Sequence, residues 1–445
     1  MTDALTALIA RMAATGATGF LAKELAPNDN SKNQLYLGSD FGVLNILPQG
    51  GLVTDTSDLA GSRRDRAKAP LIWDWLLPDG LSRAPDAQLI LYPAYPEVRL
   101  SGLLRGADGA PADVIRSRAP GRMLFLGVVP GDRILAWAGF AEDPEVRAFR
   151  NAGQFESRGV FSNLGLLHTG ADARSMLIAR LAEIADAGWL ASQKLGADGP
   201  LPYRAPNGGG YTLEAALGIR PNGRAAPDFH GWEIKQFGVS DFMRNTPRSA
   251  VTLMTPEPAG GFYREAGAEA FVRRYGYPDR SGRPGRLNFG GVYTVGRGPV
   301  ALTGLSLEMD GFDPQSGRIT DIAGGLSLKD AEGRIAASWS YTGLIAHWNR
   351  KHAQACYVPS VRRGPPVEYA YGREVLLCEG TDFFLLLRAF AAGIVSYDPA
   401  LKLENRAGGP PALKRRSQFR IRHRQVTSLY RRSSVVRLPE GPPAD

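Results

Sequence analysis

The sequence predicts a mixed α/β chain in two parts: a β-rich N-terminal domain over residues 1–165 and an α+β domain with a mixed sheet over 166–435, followed by a flexible tail at 436–445. Three observations carry this expectation. The chain has 445 residues, 44% of them hydrophobic, enough for more than one core. Up to about residue 160, apolar residues come in short runs cut by turn residues. Beyond His168, helical periodicity alternates with strand-like runs.

In chain order, Leu5, Leu8, Ile9 and Met12 share one helical face. Residues 34–37, 43–47, 89–92 and 122–129 read as strands, and the Pro-, Gly- and Ala-rich stretch 81–110 as loop-bearing β structure. In the second part, Asp172 can cap a helix whose apolar positions are Met176, Leu177, Ile178, Leu181 and Ile184. Residues 206–210 read as a flexible turn feeding a short helix over 213–217, stopped by Gly218. This glycine run lacks the Lys and Ser/Thr of a phosphate-cradling P-loop. Residues 227–235 read as a hairpin or strand, 290–302 as a strand, and 344–355 and 382–392 as helices.

Several classes are excluded. The longest apolar run, 383–395, is broken by Arg388 and is too short to span a membrane. The N-terminus has no basic start followed by an apolar stretch, so no secretory signal is read there. Cys356 and Cys378 cannot staple a chain of this length, and they read as buried, reduced thiols of a cytoplasmic protein. His347 and His352 are five apart, roughly 140° around a helix, which argues against a shared zinc site and for helix-surface or core histidines.

The net charge of +9 is local. Residues 401–432 hold ten Lys or Arg against one acid, Glu404, while residues 1–400 sum to about +1. Such a concentrated excess suggests a polyanion contact. Within it, Phe419 and Ile421 alternate with Arg420, Arg422 and Arg424, the pattern of a strand that docks one face on the core and presents guanidinium groups on the other. Arginine can pair with phosphates or with guanine edges.

The chemistry-bearing segment is Asp228, Glu233 and Lys235. On a strand, Glu233 and Lys235 point to the same face, and Asp228 can converge on them from a preceding turn. Two carboxylates held together favour a cation between them, and an oxygen-rich site of this kind suits Mg²⁺. A neighbouring lysine can orient a water and stabilise charge on phosphorus, as phosphodiester hydrolysis requires. The same alternation also arises on solvated strands as salt-bridge partners. Here Phe229, Trp232 and Ile234 flank it, which points to a partly buried strand whose charges need a partner or a metal.

The run Gly209-Gly210-Tyr211-Thr212-Leu213-Glu214, followed by Leu217-Gly218-Ile219, Pro221-Asn222-Gly223 and Pro227-Asp228-Phe229-x-Gly231-Trp232-Glu233-Ile234-Lys235, resembles the MvaI/BcnI family of restriction endonucleases. The likeness continues through residues 252–258, 288–291, 348–352, 379–384 and 414–420, and covers roughly residues 168–432. That family is similar to the MutH mismatch-repair nickase within the PD-(D/E)xK nuclease fold. The resemblance implies that Asp228 and Glu233 hold Mg²⁺ together with the backbone carbonyl of Ile234, that Lys235 is the catalytic lysine, and that Glu214 supports the active site from a helix. It further implies contacts to DNA from Lys351 and His352, while the alternating basic segment reads as DNA contacts from Arg415, Arg416, Arg420, Arg422 and Arg424, a solvated charged edge being its alternative.

The implied function is Mg²⁺-dependent, site-specific hydrolysis of double-stranded DNA by a monomer of the type II restriction kind, in phage defence, with a cognate DNA methyltransferase as a separate protein. A strand-specific repair nickase and a catalytically inactive DNA-binding regulator are the alternatives. The intact Asp228, Glu233 and Lys235 argue against the inactive form. The family motifs do not extend into residues 1–165, which would be a DNA-reading or effector domain, a partner-docking domain or a control element, the first being preferred.

Overall fold

A computed structural model describes residues 4–27, 34–38, 41–55, 58–59, 62–63, 66–92, 97–131, 133–165, 173–221, 228–244, 247, 249–406 and 409–440. His168, Asp172 and the Asn222-Gly223 turn lie outside them. The chain divides into two compact units, Met1–Met176 and Leu177–Asp445.

In the first unit, the helix Ala4–Ala14 buries Leu5, Leu8, Ile9 and Met12, the face its spacing marks out. They pack with Phe20, Phe125, Leu135 and Val146. A seven-stranded sheet runs in the order Ser157–Arg158, Phe161–Asn163, Gly19–Glu24, Met123–Val129, Arg133–Gly139, Ile72–Leu77, Gly80–Arg83. A five-stranded sheet runs Leu35–Tyr36, Glu97–Ser101, Gln88–Tyr92, Arg66–Pro70, Val53–Asp55. The buried carboxylate of Asp74 lies between Arg83 and Arg133, at 2.5 Å from each Nε, so its charge is paired on both oxygens. Residues 43–47 depart from the strand expectation and fall largely in a 3₁₀ turn, Phe41–Asn45. The short helices Ala112–Arg116 and Pro144–Asn151 interrupt the β structure.

The second unit is organised on a six-stranded mixed sheet. Its central strand, Gln354–Arg363, is buried over most of its length. The strand Glu233–Gly238 runs parallel to it, in register from Glu233 opposite Ala355 to Gly238 opposite Ser360. Glu374–Glu379 and Glu368–Tyr371 pair with it antiparallel. Arg432–Arg437 closes one edge, so the expected tail at 436 begins inside a strand, and Leu438 is buried. Cys356 and Cys378 are both buried free thiols in this sheet.

The helix Phe383–Ala391 starts where Asp382 accepts the Leu385 N–H at 2.9 Å, and Tyr341–His352 starts at a Ser340 cap. Residues 290–302 do not form the expected strand. Only Arg286–Gly290 is extended in a ladder, and beyond it the chain makes turns with single bridges at Tyr293 and Val300. The glycines at 290, 291, 296 and 298, with Pro299, break the run.

The glycine run at 208–210 also corrects its sequence reading. It is the first turn of a helix, Gly208–Ala216, and not a flexible loop. Glycine is used here for approach to the sheet: a Cβ on Gly208 would sit 2.6 Å from Ser192 Oγ and 3.1 Å from Tyr369 Oη. The helix is pinned by the Tyr371 hydroxyl, which donates to Gly209 O at 2.7 Å, and by Thr212 Oγ1, which accepts the Gln193 N–H at 3.0 Å. Gly208→Val should force this helix off the sheet, at a cost of roughly 1–3 kcal/mol. The expected result in thermal unfolding is a lowered transition for the second unit; an unchanged one would refute the close-packing account.

Candidate active site

A two-residue hairpin builds the site. Phe229 and Trp232 exchange both backbone hydrogen bonds, at 2.9 and 2.8 Å, around His230 and Gly231. Both turn residues have positive φ, 45° and 91°, the geometry of the tight turns that match strand twist. Closing this turn sets Asp228 across from Glu233, at the start of the strand Glu233–Gly238. Trp232, 1% exposed, anchors the hairpin in the core.

Asp228 Oδ2 accepts the Ile234 N–H at 2.9 Å. That N–H therefore leaves the strand on the edge away from Gln354–Arg363, and the Ile234 carbonyl leaves on the same edge. Glu233 is 2% exposed, and its Oε1 accepts from Lys235 Nζ at 2.5 Å. The alternation expected for Glu233 and Lys235 is thus realised as a direct ion pair. Burial, and then the facing carboxylate of Glu233, push the Asp228 carboxyl up to about 6. Burial draws the Lys235 ammonium down, but Glu233, Asp228 and Glu214 outweigh it and hold the group above its ordinary value.

Glu214, on the Gly208–Ala216 helix, lines the same open cleft as Lys235 and Ile234. The cleft measures about 900 Å³. Its other lining includes Val251 and Thr252, with Arg416, Gln418 and Arg420. The basic strand is shorter than its alternation implies. Only Phe419–Ile421 pairs, between Val251–Met254 and Val395–Tyr397, and a 3₁₀ helix follows at His423–Leu429.

Arg420 is held by Asp398 and by Ala250 O, each at 2.6 Å, and it faces the cleft. Arg416 is exposed in the cleft lining. Arg422 and Arg424 are exposed but stand outside the cleft lining. Arg415 is engaged with the Tyr263 hydroxyl, which also donates to Glu257. The side chain of Lys351 lies outside the described residues.

His352 does not reach the surface, contrary to its expected place at DNA. It is fully buried, stacked on Trp348 at 4.2 Å, with Nε2 bonded to Leu253 O at 2.9 Å. Helical periodicity turns it inward on the same side as Trp348, four residues earlier. Sequence reasoning missed Gln418 and Arg362, which also line the cleft. Extending the period-two pattern back from Arg420 through Gln418 to Arg416 would have found the first. Nothing in the sequence marks Arg362.

The profile of the MvaI/BcnI restriction endonuclease family matches residues 178–430, more than half of the chain. The chain belongs to this family. Its members are DNA endonucleases. Two solved structures are similar to it: restriction endonuclease MvaI in complex with cognate DNA, at 18% identity and TM-score 0.45, and MvaI in the absence of DNA, at 18% identity and TM-score 0.35. Each alignment covers 60% of this chain and 98% of the other. No curated protein sequence matches. As a MvaI/BcnI member, the chain has no described helix long and apolar enough to cross a membrane.

The donor set fits a hard divalent cation. Among the described residues there is no cluster of three or more acidic, His or Cys side chains. The two carboxylates face each other closely enough to raise the pKa of one, and the Ile234 carbonyl shares their edge. Two carboxylates and a carbonyl suit Mg²⁺, which keeps several waters and takes phosphate oxygens.

The raised Asp228 pKa makes the apo protein pH-sensitive in a defined direction. Below about 4, both folded and unfolded chains are protonated at this residue and nothing is lost. As pH rises through about 6, the folded state must carry a disfavoured charge and stability falls. Asp228→Asn should therefore be more stable than the parent at pH 8 by up to roughly 2–3 kcal/mol, with the gap closing toward pH 4. Melting curves without metal, across this range, test it. A gap that stays constant with pH would refute the assigned pKa.

Proposed function

We propose that this chain is a Mg²⁺-dependent type II restriction endonuclease that cleaves double-stranded DNA at a specific site and serves in phage defence. The observation that carries the reading is that Asp228, on the Ile234 N–H, and Glu233, on Lys235, gather behind a cleft that Lys235 and Glu214 line together with Arg416 and Arg420. Family membership supports DNA cleavage as the chemistry.

In this reading, Asp228, Glu233 and the Ile234 carbonyl would hold the cation. When bound, Mg²⁺ supplies Lewis acidity and lowers the pKa of a water. Lys235, kept as an ammonium by its acidic neighbours, orients the attacking water and stabilises the charge developing on phosphorus. Its raised pKa makes it a poor general base. Glu214 supports that ammonium from the helix. The water oriented by Lys235 would add to phosphorus in line as it loses a proton to solvent, the bond to the 3′ oxygen would break with that oxygen taking up a proton from solvent, and the products would be a 5′-phosphate and a 3′-hydroxyl. Arg416 and Arg420 hold the duplex in the cleft. The protein works as a monomer, cuts one strand at a time, and is matched by a separate methyltransferase that protects host DNA.

Asp228→Ala and Glu233→Ala should each abolish Mg²⁺-dependent cleavage of plasmid DNA while leaving duplex affinity within a few fold. Cleavage near the parental rate by either variant would remove the metal assignment. Accumulation of nicked circles that never become linear would favour the strand-specific nickase instead.

The first unit is assigned to DNA reading, in series with the catalytic unit. A fragment of residues 166–445 keeps the whole Ala173–Asp186 helix and all the proposed site residues. It should fold alone and retain Mg²⁺-dependent cleavage, with altered site preference. A soluble, folded fragment that is inactive at every Mg²⁺ concentration would show that the first unit is needed for catalysis itself.

A further inference from the structure

The strands Arg286–Gly290, Ala400–Arg406 and Gly409–Lys414 lie side by side in a four-stranded sheet of the second unit. Alternation gives this sheet two unlike faces. Phe289, Leu401 and Leu403 are buried on one, where Phe289 meets Phe271 edge-on at 4.6 Å. The opposite face carries Asn288, Lys402 and Lys414 in one cross-strand row, and Arg286 and Glu404 in the next.

Lys402 and Lys414 are paired directly in register, and both are exposed. Like charges directly opposite each other on a sheet are destabilising. The nearby acids do not relieve them, because both face Arg286: Glu404 at 2.7 Å and Asp279 at 3.9 Å. Among the described residues, neither lysine has a carboxylate in ion-pair range.

The row continues into the cleft. The Ala400 N–H donates to Arg416 O at 2.9 Å, which carries the ladder two residues past Lys414 and keeps Arg416 on the same face. Arg416 lines the cleft that holds Lys235. Lys402, Lys414 and Arg416 therefore form one cationic track leading out of the site. An unrelieved lysine pair on such a track suits a polyanion that is continuous with the cleft's own ligand.

We propose that Lys402 and Lys414 grip the phosphate backbone of the duplex where it leaves the cleft, so that DNA flanking the cleaved site is bound without regard to its sequence. This rests on the DNA-cleaving reading above.

The test measures affinity without Mg²⁺ for duplexes of one central sequence and increasing length, at several salt concentrations. The parent should gain affinity once the duplex outgrows the cleft. Lys402→Gln with Lys414→Gln should lose that gain, and its salt slope on long duplexes should fall by about two. Lys402→Glu with Lys414→Glu should weaken long-duplex binding further. Melting in low salt without DNA should leave the glutamine variant at least as stable as the parent, since a repulsive pair has gone. Variants that match the parent at every length and salt would overturn the inference while leaving the cleavage reading intact. A parent that binds no duplex at all would overturn both.

Discussion

The hydrogen bond from the Ile234 N–H to Asp228 depends on a reversal of the chain within two residues, and the rest of the site depends on that bond. It holds one carboxylate against the edge of a strand whose next side chains are a buried glutamate and a lysine. Without it, Asp228 and Glu233 would have no reason to stay together, since their charges repel. Instead the turn at His230 and Gly231, locked by two backbone bonds and anchored by Trp232, sustains an arrangement that raises a carboxyl pKa by two routes, burial and like charge. A site that keeps two acids close at such a cost is suited to a cation.

The charges around this pair form a graded set. Glu233 is inside, Lys235 is at the rim, and Glu214 approaches from a helix whose glycine-rich start lets it lie close on the sheet. In the same cleft lining the guanidinium of Arg420 is fixed by Asp398 and a backbone carbonyl, so it is already oriented. A glutamate and two arginines in one cleft lining suit the proposed reading, in which a cation and a phosphate backbone are held together.

Where the sequence misled, the cause was a contact between residues far apart in the chain. The glycines at 208–210 look like a loop by composition, yet they open a helix, and at Gly208 and Gly209 it is Ser192, Tyr369 and Gln236 that leave no room for a side chain. His352 belongs to a motif that suggested DNA, but Leu253, ninety-nine residues earlier, accepts its ring nitrogen in the interior. The basic segment alternates for longer than it pairs, because only three of its residues find neighbours in Val251–Met254 and Val395–Tyr397. Residues 290–302 carry strand formers, and their glycines win.

By itself the sequence determined whatever depends on neighbours within a few positions. The helix of Leu5, Leu8, Ile9 and Met12, the helix at 382–392, the same-face placement of Glu233 and Lys235, the locality of the positive charge and the family motifs were all legible, because helix and strand periods act over short range. The tertiary structure decided which charges face the cleft, which are buried, and which are left unrelieved beside a like charge. Those outcomes depend on strand order and register, and so on packing between segments far apart in the chain, such as Glu233–Gly238 against Gln354–Arg363, which no local pattern encodes.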